Sequence, residues 1–206
     1  MSDTADLANT LPCLIVGAGP TGLALAAQLR WIGVPFRIID RSLDRTQESR
    51  ALAVQARTLE ILDSLNLGDA LAARGNTSAR LVVHFGASAI ASTTLGGIGA
   101  TDTRYPFILF VSQAETERVL IDHLTSFGVA IERGVELIEL EAGERHVACR
   151  LRHPDGHEEQ VRPLYVLGCD GAHSFVRRAA GFSFQGGHYD SWCAALESNQ
   201  QPTEPR

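Results

Sequence analysis

Near the start of the chain, Gly17-Ala18-Gly19-Pro20-Thr21-Gly22 spaces three glycines as G-x-G-x-x-G, and a carboxylate, Asp40, follows roughly 20 residues on. The chemistry open to that set is recognition of a dinucleotide. Gly17 permits a sharp turn, Gly19 lets the backbone approach a pyrophosphate, and Gly22 lets a helix pack closely on the strand before it. Asp40 can accept hydrogen bonds from a ribose diol. The N-terminus of the helix would favour an anion by about 0.3–1 kcal/mol when exposed and about 2 kcal/mol when partly buried. A second glycine-acid cluster, Gly168-Cys169-Asp170-Gly171, closes the apolar run Tyr165-Val166-Leu167. Asp170 can either cap a following helix or face a ligand, and the two roles are compatible.

Those residues need elements to hold them. Leu14-Ile15-Val16 reads as a buried strand, the Ala/Leu-rich stretch from Leu23 to Arg30 as a helix, and Phe36, Ile38 and Ile39 as a second strand ending at Asp40. The unit is βαβ. Tyr165 to Leu167 predicts another buried strand, with a helix through Val176-Arg177-Arg178. Both glycine clusters can then converge on one ligand at the C-terminal edge of a parallel sheet, where open α/β sheets bind.

Between these ends, Leu52, Leu59, Leu62 and Leu65 fit a helical stripe in the segment from Ser49, with Gly68 expected just past its end. Arg50 and Arg57, near its start, could meet phosphate or belong to a solvated face. Residues 80–95 predict two strands turning near Gly86, and Tyr105 to Val111 is a further β-rich run. Ser112 and Glu115 have capping-box spacing ahead of a helix with Val119, Leu120, Leu124 and Phe127 as its apolar face, ended by Gly128. Alternation over 135–140 and 147–151, the turn at His153-Pro154-Asp155-Gly156-His157 and the return 158–162 predict an antiparallel meander of three strands.

The composition narrows the function classes. The 206 residues are 45% hydrophobic, enough for a substantial core, and carry a net charge of −6. All 18 basic residues are Arg, without the basic stripe that marks a nucleic-acid partner. Cys13, Cys149, Cys169 and Cys193 form no CxxC pair and read as small buried hydrophobes in a reducing compartment. His153 and His157 flank a turn rather than share a helix face, so no metal site is expected. No apolar run approaches the roughly 18 residues of a membrane span, and the polar, acidic first ten residues show neither the positive n-region nor the apolar h-region of a signal peptide. The expectation is a cytoplasmic protein with a disordered lead over 1–10 and an irregular tail over 187–206.

Four blocks together resemble the FAD-dependent aromatic hydroxylases, the single-component flavoprotein monooxygenases that include phenol, hydroxybenzoate and polyketide hydroxylases. They are GAGPTGL at 17–23 with Asp40-Arg41, SRALAVQARTLEIL at 49–62, the helix start at Gln113 and Glu115, and GCDGAHSFVR at 168–177. The resemblance implies an α/β, Rossmann-like FAD-binding fold of the glutathione-reductase and hydroxybenzoate-hydroxylase type over 11–186. It adds an antiparallel β-meander, with 79–111 contributing to an incomplete substrate domain. By the same resemblance, Gly17, Gly19, Pro20, Thr21 and Gly22 cradle the FAD pyrophosphate, Asp40 with Arg41 meets the adenosine ribose, and Arg50 and Gln113 contact the cofactor. Asp170 and Gly171 look like the DG motif tied to FAD and NAD(P)H. NAD(P)H is then the reductant, and O2 and a small phenolic or polyketide aromatic are the co-substrates; no catalytic acid or base is assigned.

Nothing after Gly187 matches the family's second FAD motif, so the chain is expected to be the N-terminal portion of a hydroxylase, a truncated or frameshifted form. Two alternatives stay open: a non-catalytic FAD-binding remnant, and an NAD(P)-dependent dehydrogenase built on the same fingerprint. Oligomeric state is not legible in the sequence.

Overall fold

The structure, a computed structural model, describes residues 11–44, 53–85, 88–97 and 101–186. The expected lead at 1–10, the tail at 187–206 and Arg50 lie outside the described residues.

The chain opens with β1 (Cys13–Val16), α1 (Pro20–Trp31) and β2 (Phe36–Asp40). The helix starts three residues earlier than hydrophobicity alone suggests, because Pro20 sits at its first turn, where a missing N–H costs nothing. Next come β3 (Ala53–Val54), α2 (Ala56–Asp63), α3 (Gly68–Ala72), β4 (Arg80–Phe85), β5 (Ser88–Thr94) and β6 (Leu109–Phe110). The chain continues through α4 (Gln113–Ser126), β7 (Ile131–Arg133), β8 (Glu136–Ala142), β9 (Val147–Arg152), β10 (Glu158–Val161), β11 (Tyr165–Gly168) and α5 (Phe175–Ala179).

Four strands form a parallel sheet in the order β11-β1-β2-β7. Because successive strand residues face opposite sides, β1 and β2 divide their apolar side chains between two cores. Ile15 and Ile38 pack with Leu23, Ala26 and Ala27 of α1 and with Val119, Leu120 and Leu124 of α4. Leu14, Val16 and Ile39 face the other way, onto Leu137, Cys149 and Leu151 of the meander β10-β9-β8. The result is three layers: helices, parallel sheet, antiparallel sheet. Arg37 clamps the lower two, donating to both carboxylate oxygens of Glu132 on β7 and of Glu159 on β10 at 2.7–3.0 Å.

Several expectations shift for identifiable reasons. Of the stripe from Ser49, residues 49–52 lie outside the described residues; Ala53–Val54 pairs antiparallel with Leu109–Phe110, and the helix starts at Ala56. Gly68 opens α3 rather than following the end of α2. It is glycine because a Cβ there would overlap the Tyr105 phenol, which is buried and donates to Asp63 Oδ1 at 2.8 Å. The chain instead leaves α2 through Asn66, in the left-handed region at φ 60°. The run at Tyr105 to Val111 yields a strand of only two residues, β6. Phe127 leaves the apolar face of α4 for the surface, where the Arg30 guanidinium stacks 5.0 Å from its ring centroid. Tyr165–Gly168 is an outer strand of the sheet among the described residues, and Tyr165 is exposed rather than buried.

The β4–β5 hairpin forms, with the expected turn at Gly86 outside the described residues, and it stands apart. It pairs with no other strand among the described residues, and every one of its side chains is exposed.

Candidate functional site

The two glycine clusters meet because β11 lies directly beside β1. The pairing continues past the strands, with Cys169 N donating to the Val16 carbonyl at 2.7 Å. Gly17 takes φ 104°, and a Cβ on it would overlap the Cys169 carbonyl and stand 2.9 Å from Asp170 N. A Cβ on Gly22 would overlap the Gly17 carbonyl oxygen. These two glycines are therefore packing requirements, welding turn, helix and second cluster together. Gly19 differs: a Cβ there would meet nothing within 4 Å. Its open side is the wall of a cavity of about 430 Å³.

That cavity lies at the C-terminal ends of the parallel strands. Gly17, Gly19, Pro20 and Thr21 line one side, Asp40 and Arg41 a second, Asp170 and Gly171 a third, and Gln113 the entrance of α4. The structure thus brings together the described residues of the two glycine clusters, Asp40, Arg41 and Gln113, except Gly22, which lies underneath. Arg57 is not part of it; it is 80% exposed and pairs with Glu60 on its own helix.

A helix terminus supplies the polar floor. The N-cap of α1 is Gly19, no side chain caps it, and no acid sits in its first turn. The N–H groups of that turn lack intrahelical partners by geometry, so they and the dipole favour an anion. Asp40 is tied down on three sides. Its Oδ2 accepts from Ala18 N at 2.7 Å, its Oδ1 accepts from Ser42 N at 2.8 Å, and Arg133 stands 3.6 Å away. Asp170 holds the start of α5, accepting from Phe175 N at 2.6 Å, Val176 N at 3.1 Å and Ser174 Oγ at 2.5 Å. Ser174 in turn accepts from Arg177 N. Burial, and then the neighbouring Asp170, push the Cys169 thiol up, which keeps it protonated and unreactive.

Gln113 and Pro20 also line a second cavity, of about 330 Å³, bounded by Ala53, Val54, Gln55 and Thr58. The two spaces share Pro20 and Gln113, the first residues of α1 and α4, a layout suited to a ligand longer than either one.

Sequence reasoning did not find the contribution of the meander, whose Val135 and Leu137 form the cavity's fourth wall with Phe175 of α5. Arg133 beside Asp40 was also missed. Neither carries a motif, since strand register alone puts them there. Among the described residues, no group of three or more His, Cys, Asp or Glu side chains could hold a metal ion, and no helix is long and apolar enough to cross a membrane.

A cradle of three glycines, a helix N-terminus and a carboxylate at the tip of the second strand defines a dinucleotide-binding α/β domain. The FAD binding domain family matches residues 10–204, and the chain belongs to it. It is 41% identical over 183 residues to the 6-methylpretetramide 4-monooxygenase of Streptomyces rimosus, covering 88% of this chain and 32% of that protein. It is 33% identical over 178 residues to the pentachlorophenol 4-monooxygenase of Sphingobium chlorophenolicum, covering 86% of this chain and 33% of that one. Its fold matches a flavin-dependent monooxygenase solved with FAD and substrate, with TM-score 0.78 and 29% identity over 86% of this chain and 33% of that chain. The chain thus spans about a third of the length of these relatives.

Proposed function

We propose that residues 11–186 bind FAD in the cavity at the C-terminal edge of the parallel sheet, as the cofactor-binding portion of an aromatic hydroxylase. The observation that carries this is the contrast among the glycines. Gly17 and Gly22 are spent on packing, whereas Gly19 leaves a clear approach to an uncapped helix N-terminus. The residues present fit the group: the α1 terminus and Gly19 would hold the pyrophosphate, with Pro20 and Thr21 flanking it. Asp40, fixed by Ala18 and Ser42, would take the ribose, with Arg41 beside it. Gln113 would meet the middle of the cofactor between the two cavities, and Asp170 and Gly171 would close the far wall, the carboxylate acting through the α5 terminus that it holds. Arg50 belongs to the same proposed set on sequence grounds.

When bound, FAD supplies reduction by NAD(P)H and activation of O2 for transfer of one oxygen to an activated aromatic ring, with a phenolic or polyketide substrate as in the named relatives. The chain's own residues bind and orient the cofactor and exclude water around it. The separate β4–β5 hairpin supports assigning 79–111 to a partial substrate domain.

The test is titration of the 206-residue chain with FAD, followed by quenching of flavin fluorescence, beside the Asp40→Ala variant. A saturable quench, weakened in the variant by about 1–3 kcal/mol from unpaired polar partners, is expected. A colourless protein that binds NAD and not FAD would sink the reading in favour of a dehydrogenase.

A further inference from the structure

One acid in the helical core has no part in the cradle as described. Glu117 is 1% exposed, buried in the stripe of α4 that also contains Val119, Leu120 and Leu124. Burying a carboxylate is costly unless hydrogen bonds compensate, and an apolar side chain of similar size at such a position is often the more stable choice. What Glu117 does have is geometry. It lies one turn beyond Gln113 on the same helix face, and its Oε1 accepts from Gln113 Nε2 at 2.8 Å.

We infer that Glu117 is a positioning residue: its carboxylate holds the Gln113 side-chain amide in one orientation at the divide between the two cavities. This rests on the reading of those cavities as the FAD site. A carboxylate only accepts, so it selects the Nε2 end of the amide and turns the Oε1 end away from itself. Gln113 thereby presents its Oε1, an acceptor suited to a hydroxyl, toward the ligand. Because Glu117 sits beneath Gln113 and outside both cavity walls, it acts on the cofactor only through that amide.

The experiment is a double-mutant cycle on FAD affinity in the full chain, using Glu117→Ala, Gln113→Ala and the double variant, with Glu117→Gln as the conservative replacement. Glu117→Ala should weaken FAD binding about tenfold, the worth of one oriented hydrogen bond. In the Gln113→Ala background it should add nothing, and Glu117→Gln, which keeps an acceptor oxygen, should stay within about twofold of the parent. Equal losses in both backgrounds would assign Glu117 a purely structural role and overturn the inference. A second readout needs no cofactor: the Gln113 side-chain NH2 protons should exchange slowly in the parent and rapidly in Glu117→Ala. Unchanged exchange overturns the positioning role alone. Failure of the parent to bind FAD overturns the cofactor reading, while the exchange rates still decide whether Glu117 holds Gln113.

Discussion

Alanine at Gly19 and alanine at Gly17 should fail in opposite ways. Gly17 has φ 104°, a conformation that an L side chain rarely adopts, and its new Cβ would lie 2.6 Å from the Cys169 carbonyl carbon. The backbone strain is worth about 1–2 kcal/mol and the overpacking about 1–3 kcal/mol. Together they take on the order of a third of the roughly 5–15 kcal/mol that stabilises an ordinary domain. For a chain of this size that lowers the melting temperature by on the order of 10 °C.

Gly19 has φ −77° and an open side, so alanine there is neither strained nor crowded. Alanine is a poorer N-cap than glycine by about 0.5–1 kcal/mol, but it removes a comparable amount of unfolded-state entropy. Stability should therefore stay within about 0.5 kcal/mol of the parent. The methyl group would nevertheless stand where the backbone must approach the pyrophosphate, weakening FAD by at least about tenfold. The assay pairs a thermal melt without cofactor with a fluorescence titration. Normal FAD affinity in Gly19→Ala would refute the placement of the pyrophosphate at the α1 terminus. An unshifted melt in Gly17→Ala would refute the packing argument.

Three more outcomes are expected. The hydrogen bonds from Arg37 above all hold the Glu159 carboxyl at about 2, below its ordinary 4.5, with His153 Nε2 assisting at 2.9 Å. A depressed carboxyl contributes stability above its unfolded value that is lost as pH falls toward the folded one. Melting temperature should thus decline between about pH 4.5 and 2, and Arg37→Gln should flatten that limb; a parent curve flat over the same range would contradict the clamp. Tyr105→Phe removes the buried hydroxyl that donates to Asp63 and Asp69 and should cost about 0.5–1.5 kcal/mol in urea unfolding, with no loss in the variant counting against the contact. Asp170→Ala removes the acceptor for Phe175 N and Val176 N. It should cost about 1 kcal/mol of stability as a lost helix cap, and FAD affinity should fall with it; a variant as stable as the parent would show that Ser174 alone secures α5.

The legible parts of this molecule were those where the backbone dictates the residue. Gly17 and Gly22 could be read because no Cβ fits at either position, and the Ser112 cap and the meander turn at Pro154-Asp155-Gly156 because local hydrogen bonding selects those types. Tertiary context hid the rest. Gly68 carries the usual stop signal, yet it starts a helix because the Tyr105 hydroxyl occupies its side-chain space. Tyr165-Val166-Leu167 looks like an interior strand, but its place in the sheet is set by its neighbours and not by its own hydrophobicity. Asp170 was legible as a cap and as a ligand contact at once, and the three donors on it belong to the capping role. Glu117 could have been noticed as an acid on an otherwise apolar helical stripe, but its bond to Gln113 required coordinates.

The adjacency of β1 and β11 also has a kinetic side. The cradle's first wall leaves the ribosome well before its third, at Cys169 and Asp170, which emerges only after every intervening strand and helix. Contacts so remote along the chain form slowly, because a long loop must close before they contribute. A nascent chain that has made its first βαβ unit therefore presents Gly17 without the carbonyl that packs against it. The cofactor has no finished pocket to enter until synthesis passes β11, and cleavage anywhere between the two strands would turn site assembly into a bimolecular event.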